Sequence, residues 1–554
     1  MPVSSLLSRF DHVEMQTIKQ DAIDQAPSRR RRARNEYSQD SLIITIYALF
    51  CVVSLLPFLL VKHPPITDFA NHAAGLWIAC SLDSPVVRAM YDYKFGIIPD
   101  LAADAINFPL CGIVGPALLL KLIIAASLAL IYTSGWWIQR TLFGRPNCFL
   151  LMLPALAFNV VTATGYVNYL AGVGLSFVLI AAVLATRERR WTVFALCNIG
   201  GLVIFFFHIF ALAFAMAVVF GTMLHRLSLD ARMLITASIR TVAAFALPLL
   251  LFPLVASEHK PLELGYGGKF RAIFSPFVGY NSVPVSIALI VLALVLVAIR
   301  GKRAKIGEAL RWPLITLGLL VLFVPGNIQT AVDIDSRMMV AAAYLFFVSL
   351  RPTTDDRRVP AGAALISAAL IGLNLWTVAM IWLPFDRQVA EFRAALGMLP
   401  PHAKVLSIES NPQEKGMPFA SAYWHLASYA TIDRQIFNPL EFNGVGMQPL
   451  ITQPAFRPVD TPSFSPLPPR FALKIAHPTA ESEKLARKLG ANFALRWPEH
   501  FDYVIYYHFQ ESPNFSPDDL TLVHDGSFFS ILKVKRHARL EQASHPRLSG
   551  GVIS

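Results

Sequence analysis

Long apolar runs alternate with short polar turns along most of this chain. The first run covers about 42–61. Others follow near 114–137, 148–163, 170–186, 192–207, 209–224, 237–256, 283–299, 312–325, 338–350 and 361–383. Several are near the ~20 residues that carry a helix across a bilayer, and some are shorter. Alternate turns are basic: Arg140 and Arg145, then Arg187-Glu188-Arg189-Arg190, then Arg226, Arg232 and Arg240. Arg300 to Lys305 and Arg357-Arg358 continue the series. Basic turns stay on the cytoplasmic side. The pattern predicts an α-helical polytopic membrane protein of about eleven transmembrane helices over 41–384, with its N-terminus inside.

From Phe385 the pattern changes to mixed charges, prolines and aromatics, with no run long enough to span. Asp386 to Leu399 has helical spacing, with Val389, Phe392, Ala395 and Leu396 on one side. Lys404 to Ile408 and Phe501 to Tyr507 read as strands. Leu520 to His524 and Phe528 to Lys535 flank Asp525-Gly526, a hairpin signal. Residues 385–540 are therefore expected to form an extracytoplasmic α/β domain, with an extended proline-rich loop at 448–469. The polar stretches 1–40 and 541–554 are expected to be disordered.

Composition supports the membrane class. Of 554 residues, 55% are hydrophobic and 15% charged, and mean hydropathy is +0.51. Soluble domains carry roughly 25% charged residues. The net charge of +12 sits mostly in the turns, so it reads as a topology signal and not as a nucleic-acid footprint. Arg29 to Arg32 stands well before the first apolar run, which argues against a cleavable signal peptide. The Arg-rich composition fits a bacterial inner membrane. All five cysteines fall at or before Cys197, and no Cys-x-x-Cys occurs, so a zinc site of ordinary spacing is not expected. Gly-x-Ser-x-Gly, His-Glu-x-x-His and P-loop motifs are absent.

The chemistry gathers at the predicted outer rim. The segment 62–105 is too long for a plain turn and contains three stretches suited to short interfacial helices. It opens with His63-Pro64-Pro65-Ile66-Thr67-Asp68-Phe69-Ala70-Asn71-His72. The prolines stop the preceding helix. Asp68 and His72, four apart, share one face of any helix that follows. Asp68 suits a general base or a ligand for a divalent metal; its bland reading is a helix N-cap. His72 suits holding Asp68, a phosphate or a metal, or else lies among headgroups. Asn71 is the third polar group of the corner.

Other candidates lie in distant turns. Tyr166 and Asn168, with Tyr169, sit in a tight turn after Gly165, where interfacial anchoring is the ordinary role. His208 interrupts an apolar run and is expected to face the bundle interior. Asp335 and Arg337 open a span, where Arg337 suits a phosphate and the pair equally suits sealing the helix start. Lys269 and Arg271 form a second candidate phosphate grip.

This layout resembles the GT-C superfamily of membrane glycosyltransferases. The matching features are the first-loop acid Asp68, the interfacial stretches after it and the helix-then-strand start of the tail, Asp386 to Ile408. Many GT-C members carry an acid pair in that loop, whereas this chain has Thr67-Asp68-Phe69 followed by Asn71-His72. The resemblance implies transfer of a sugar from a polyprenyl-(di)phosphate donor to an extracytoplasmic acceptor. Asp68 would act as base, with Arg337 and Lys269 or Arg271 on the leaving phosphate. It implies a lipid-linked donor as partner and leaves metal use and protein partners open. The competing classes are a transporter or flippase using Asp68, His72, His208 and Asp335, and a non-catalytic envelope-assembly protein docking through its tail. In the latter the tail offers only Tyr423, Trp424, His425, Asp433 and Arg434.

Overall fold

A computed structural model of the chain describes residues 41–224, 230–255, 264–280, 284–328, 331–353, 358–410, 420–443, 448–461, 465–509, 515 and 518–535. The expectations for 1–40 and 541–554 lie outside the described residues.

Five described helices are long and apolar enough to cross a membrane: Ser41–Leu60, Pro116–Phe143, Val167–Thr186, Arg190–Phe207 and Val359–Met398. The pair Ala231–Ala244 and Ala246–Leu254 adds a sixth if its 72° bend is one broken span. Shorter apolar helices occupy Cys148–Thr164, Ile209–Leu224 and Ala288–Arg300. The expected eleven spans thus resolve into a smaller set of full-length helices and several short or broken ones. The reasons are local. Asn159 caps the piece Val160–Thr164 with a capping box, so the run from Cys148 is not one rod. Pro248 cannot donate to the carbonyl of Ala244, which lies at the bend. Hydropathy does not register such breaks.

Val167–Thr186 is the central helix, with 72% of its apolar window buried, against 22% for Ser41–Leu60. It packs closely on Pro116–Phe143, because a Cβ at Gly174 would stand 2.8 Å from the Ser127 carbonyl oxygen. The last long helix runs 40 residues without a stop. Sequence reading divided it at Leu383, but a π-helical stretch at Val378–Trp382 joins its halves. It therefore delivers the C-terminal part on a stiff rod.

The C-terminal part contains the expected strands. Val405–Glu409 pairs parallel with Tyr503–Tyr507, which pairs antiparallel with Phe529–Val534, and that strand takes Leu520–Asp525 on its far edge. Within the loop 448–469, Leu450–Thr452 forms a strand antiparallel to Tyr91–Tyr93 of the outer loop, while Arg457–Val459 departs from the expected extended path in a 3-10 turn. The outer loop supplies Ile78, Val87, Met90 and Tyr91 to the same core as Leu406, Phe437, Trp497 and Val504. Helix Ser428–Arg434 packs on helix Phe69–Cys80. A Cys80–Cys111 disulfide ties the end of that helix to the chain entering Pro116–Phe143.

A polar joint fixes the long helix to the first span's end. His63 donates through Nδ1 to Asp386 Oδ1 at 2.7 Å and accepts at Nε2 from Arg393 at 3.1 Å. Arg393 also holds Asp433 with two bonds of 2.8 and 2.6 Å. His63 is thus a buried strut.

Candidate active site

Asp68 is placed by backbone hydrogen bonds. The Thr67 and Asp68 N–H groups donate to the carbonyls of Ala163 and Thr164, at 3.1 and 2.9 Å. Gly165 makes that approach possible, with φ +94 and space for no Cβ, since one would meet Ile66 Cγ2 at 2.7 Å. Asp68 occupies the N-cap position of Phe69–Cys80, yet its side chain makes no capping bond. Its carboxylate is aimed elsewhere, with Oδ1 3.6 Å from His425 Nε2. Burial pushes its pKa up to about 7, and the Arg337 charge pulls in the opposite direction. Both protonation states are therefore accessible near neutrality.

Arg337 is the positive centre of the site and is nearly buried, at 7% exposure. Its guanidinium lies over the Tyr166 ring, 3.4 Å from the centroid. Tyr166 donates its hydroxyl hydrogen to Asp333 at 3.2 Å, and Tyr169 donates to the Arg337 carbonyl at 2.7 Å. Nη1 stands 3.1 Å from His208 Nε2, while Nδ1 of the same ring accepts from the Phe210 N–H at 3.0 Å. A neutral imidazole accepts at only one nitrogen. One of the two contacts is thus unsatisfied, and Arg337 is not locked onto His208. Its Nε has no hydrogen-bond partner among the described residues.

Asp100 lies beside this group, its Oδ1 3.9 Å from His208 Nε2 and without a hydrogen-bond partner among the described residues. Burial pushes Asp100 up to about 8, which Arg337 partly offsets. Arg337 therefore faces carboxyls that resist ionising, and its charge is only partly compensated. Such a guanidinium favours an incoming anion.

Asn71 and His72 tie this corner to the C-terminal part. Asn71 donates to the Leu440 carbonyl at 2.6 Å and to His425 Nδ1 at 3.2 Å, and accepts from the Phe442 N–H at 2.8 Å. His72 is hydrogen-bonded to the Gly165 backbone and set edge-on to Phe442, and burial lowers its pKa to about 4. A small cleft beside it is lined by Asn71, His72, Tyr93, Asp104, Asn168 and Phe442. Tyr93 donates to Asp104, which burial pushes up to about 6. Asn168 receives the Ala103 N–H at 3.2 Å and donates to the Asp100 carbonyl at 2.8 Å, so it pins the outer loop.

The structure thus brings together Asp68, Tyr166, His208 and Arg337, with Asn71, His72 and Asn168 around them. Lys269 and Asp335 stand apart as a pair. Lys269 Nζ pairs with Asp335 Oδ2 at 3.2 Å and donates to the Val321 and Val324 carbonyls, so its charge is already engaged. Arg271 is exposed on the short helix Lys269–Phe274. Among the described residues no three His, Cys, Asp or Glu side chains converge to hold a metal ion. In the sequence His425 stands out only as one of the tail's few chemical candidates, as readily a packing or salt-bridge residue. Its partner Asn71 lies 354 positions away, and no local signal links them. Cys80 and Cys111 stand 31 apart with no motif to pair them.

No family model matches this chain, and no curated protein matches it. A solved structure, ArnT from Cupriavidus metallidurans in the apo state, is similar over 89% of this chain and 98% of its own, at 12% identity and a TM-score of 0.42.

Proposed function

We propose that this protein is a membrane glycosyltransferase that takes a sugar from a polyprenyl-(di)phosphate donor. One juxtaposition carries the reading: a buried carboxylate poised near neutrality, Asp68, within the field of Arg337, a buried guanidinium lying on an aromatic face with an unpartnered Nε. Asp68 takes the proton of the acceptor hydroxyl as its oxygen attacks the anomeric carbon. The bond from that carbon to the phosphate oxygen breaks, and the electron pair leaves on the phosphate. Arg337 stabilises the charge that develops there. Attack from the face opposite the leaving group inverts the anomeric centre. The donor supplies the activation, so no nucleotide is consumed.

The site's position supports the same reading over transport. Asp68 and His425 meet where the outer loop joins the C-terminal part, away from the middle of any long helix. A proton or substrate path would put such groups at mid-membrane. The Cys80–Cys111 bond supports an extracytoplasmic outer loop, since disulfides persist in oxidising compartments. With the basic turns facing the cytoplasm, this favours an inner membrane with both loop and tail outside.

The test is turnover of lipid-linked sugar by purified protein in nanodiscs. Asp68→Asn is expected to lose about 10²–10⁴-fold in kcat, the usual contribution of a positioned base. Wild-type turnover by that variant removes Asp68 from the mechanism.

A further inference from the structure

The C-terminal part does more than cover the site, because one of its side chains is oriented with respect to Asp68 by a chain of hydrogen bonds. The chain starts at Asn71, whose amide has only one workable orientation. The Leu440 carbonyl at 2.6 Å can only accept, so it requires the NH₂ end. The Phe442 N–H at 2.8 Å can only donate, so it requires the oxygen end. The second NH₂ hydrogen then faces His425 Nδ1 at 3.2 Å. That nitrogen must accept, so in the neutral ring Nε2 carries the hydrogen. Nε2 stands 3.6 Å from Asp68 Oδ1, just beyond hydrogen-bond reach.

We infer that His425 is a positioning residue for Asp68: Asn71 fixes its tautomer so that the C-terminal part presents a neutral N–H donor to the carboxylate. This rests on Asp68 being the working base. His425 is 1% exposed, and burial lowers its pKa to about 3, so it stays neutral across the working range. Because Nδ1 is occupied by Asn71, the ring cannot pass a proton onward. It acts by favouring the ionised carboxylate and fixing the lone pair that meets the acceptor hydroxyl. Among the described residues, the other groups that interact with the Asp68 charge are Arg337 from helix Ile334–Ser349 and Tyr166 at the start of Val167–Thr186, while His72, on the helix that Asp68 opens, acts on His425. The tail therefore completes the base.

Infrared titration of the full chain in nanodiscs tests this without a turnover assay. The carboxylic C=O band lost in Asp68→Asn reports the protonation of Asp68. His425→Leu is expected to raise its midpoint by about one pH unit. His425→Gln, which keeps an N–H donor, is expected to restore most of that shift. An unchanged midpoint in His425→Leu overturns the inference. Nitrogen-15 histidine spectra of the wild type, assigned with His425→Gln, are expected to show the hydrogen on Nε2. A hydrogen on Nδ1 overturns the inference even if His425→Leu does not fold. Full turnover by Asp68→Asn would remove Asp68 from the mechanism and leave the infrared result standing.

Discussion

Arg337 shows how one side chain's surroundings set its chemistry. Its plane rests on Tyr166, one edge faces His208, and its charge acts on Asp68 and Asp100. Lysine cannot lie flat on a ring and reach sideways at once. Arg337→Lys is therefore expected to fold and to lose at least ~10-fold in turnover. Thermal unfolding and lipid-linked sugar turnover, measured on the same sample, check both halves. Asp68 makes a second prediction at this scale. Its folded pKa stands at about 7 against roughly 3.9 in an unfolded chain. The stability linked to its protonated form is full below about pH 4 and is lost as pH rises through 7. Asp68→Asn should thus be more stable than wild type at pH 8.5, by about 1–3 kcal/mol, with the gap closing toward pH 4. A melting-temperature series across pH reads this directly. Asp68 and Arg337 were visible in the sequence because charge beside apolar runs is costly and needs a reason. Lys269 was visible on the same ground, but its three partners were not, and they already engage its charge.

Among the elements, the turn at Gly165 decides where Asp68 sits. Gly165→Ala meets both a positive φ and a contact at 2.7 Å with Ile66 Cγ2. It is expected to cost about 1–3 kcal/mol and to lower turnover by shifting the Thr67–Asp68 backbone. Restored activity in Gly165→Ala combined with Ile66→Ala, which removes Cγ2, would locate the effect in that contact. The sequence pattern found the outer-loop helices close to where they stand, as Phe69–Cys80, Pro85–Met90 and Ala102–Asn107. Among the described residues full-length helices do not account for all eleven expected spans, because an apolar run reads the same whether the backbone within it is straight or broken at Asn159 or Pro248. The sequence pattern also divided Val359–Met398, since the composition change at its outer end looks like a domain boundary.

Across the whole molecule, the outer loop and the C-terminal part share a hydrophobic core. Ile78, Met90 and Tyr91 are buried against tail residues, and Tyr91–Tyr93 completes a two-stranded ribbon with Leu450–Thr452. This pairing was not legible in the sequence because it spans more than 350 residues, and periodicity carries no such information. Cys80–Cys111 closes a loop of 31 residues at this core. Replacing both cysteines by serine is expected to destabilise it by about 2–4 kcal/mol, with the helix Phe69–Cys80 losing hydrogen-exchange protection before the membrane core. Equal protection in both would mean the bond is idle.

The most direct test of the account is the pH dependence of kcat for lipid-linked sugar transfer by the intact protein. An acidic limb with a midpoint near pH 7, absent from the residual activity of Asp68→Asn, is the predicted result. The same limb in Asp68→Asn, or no transfer by the wild type from any polyprenyl-linked sugar, would contradict it.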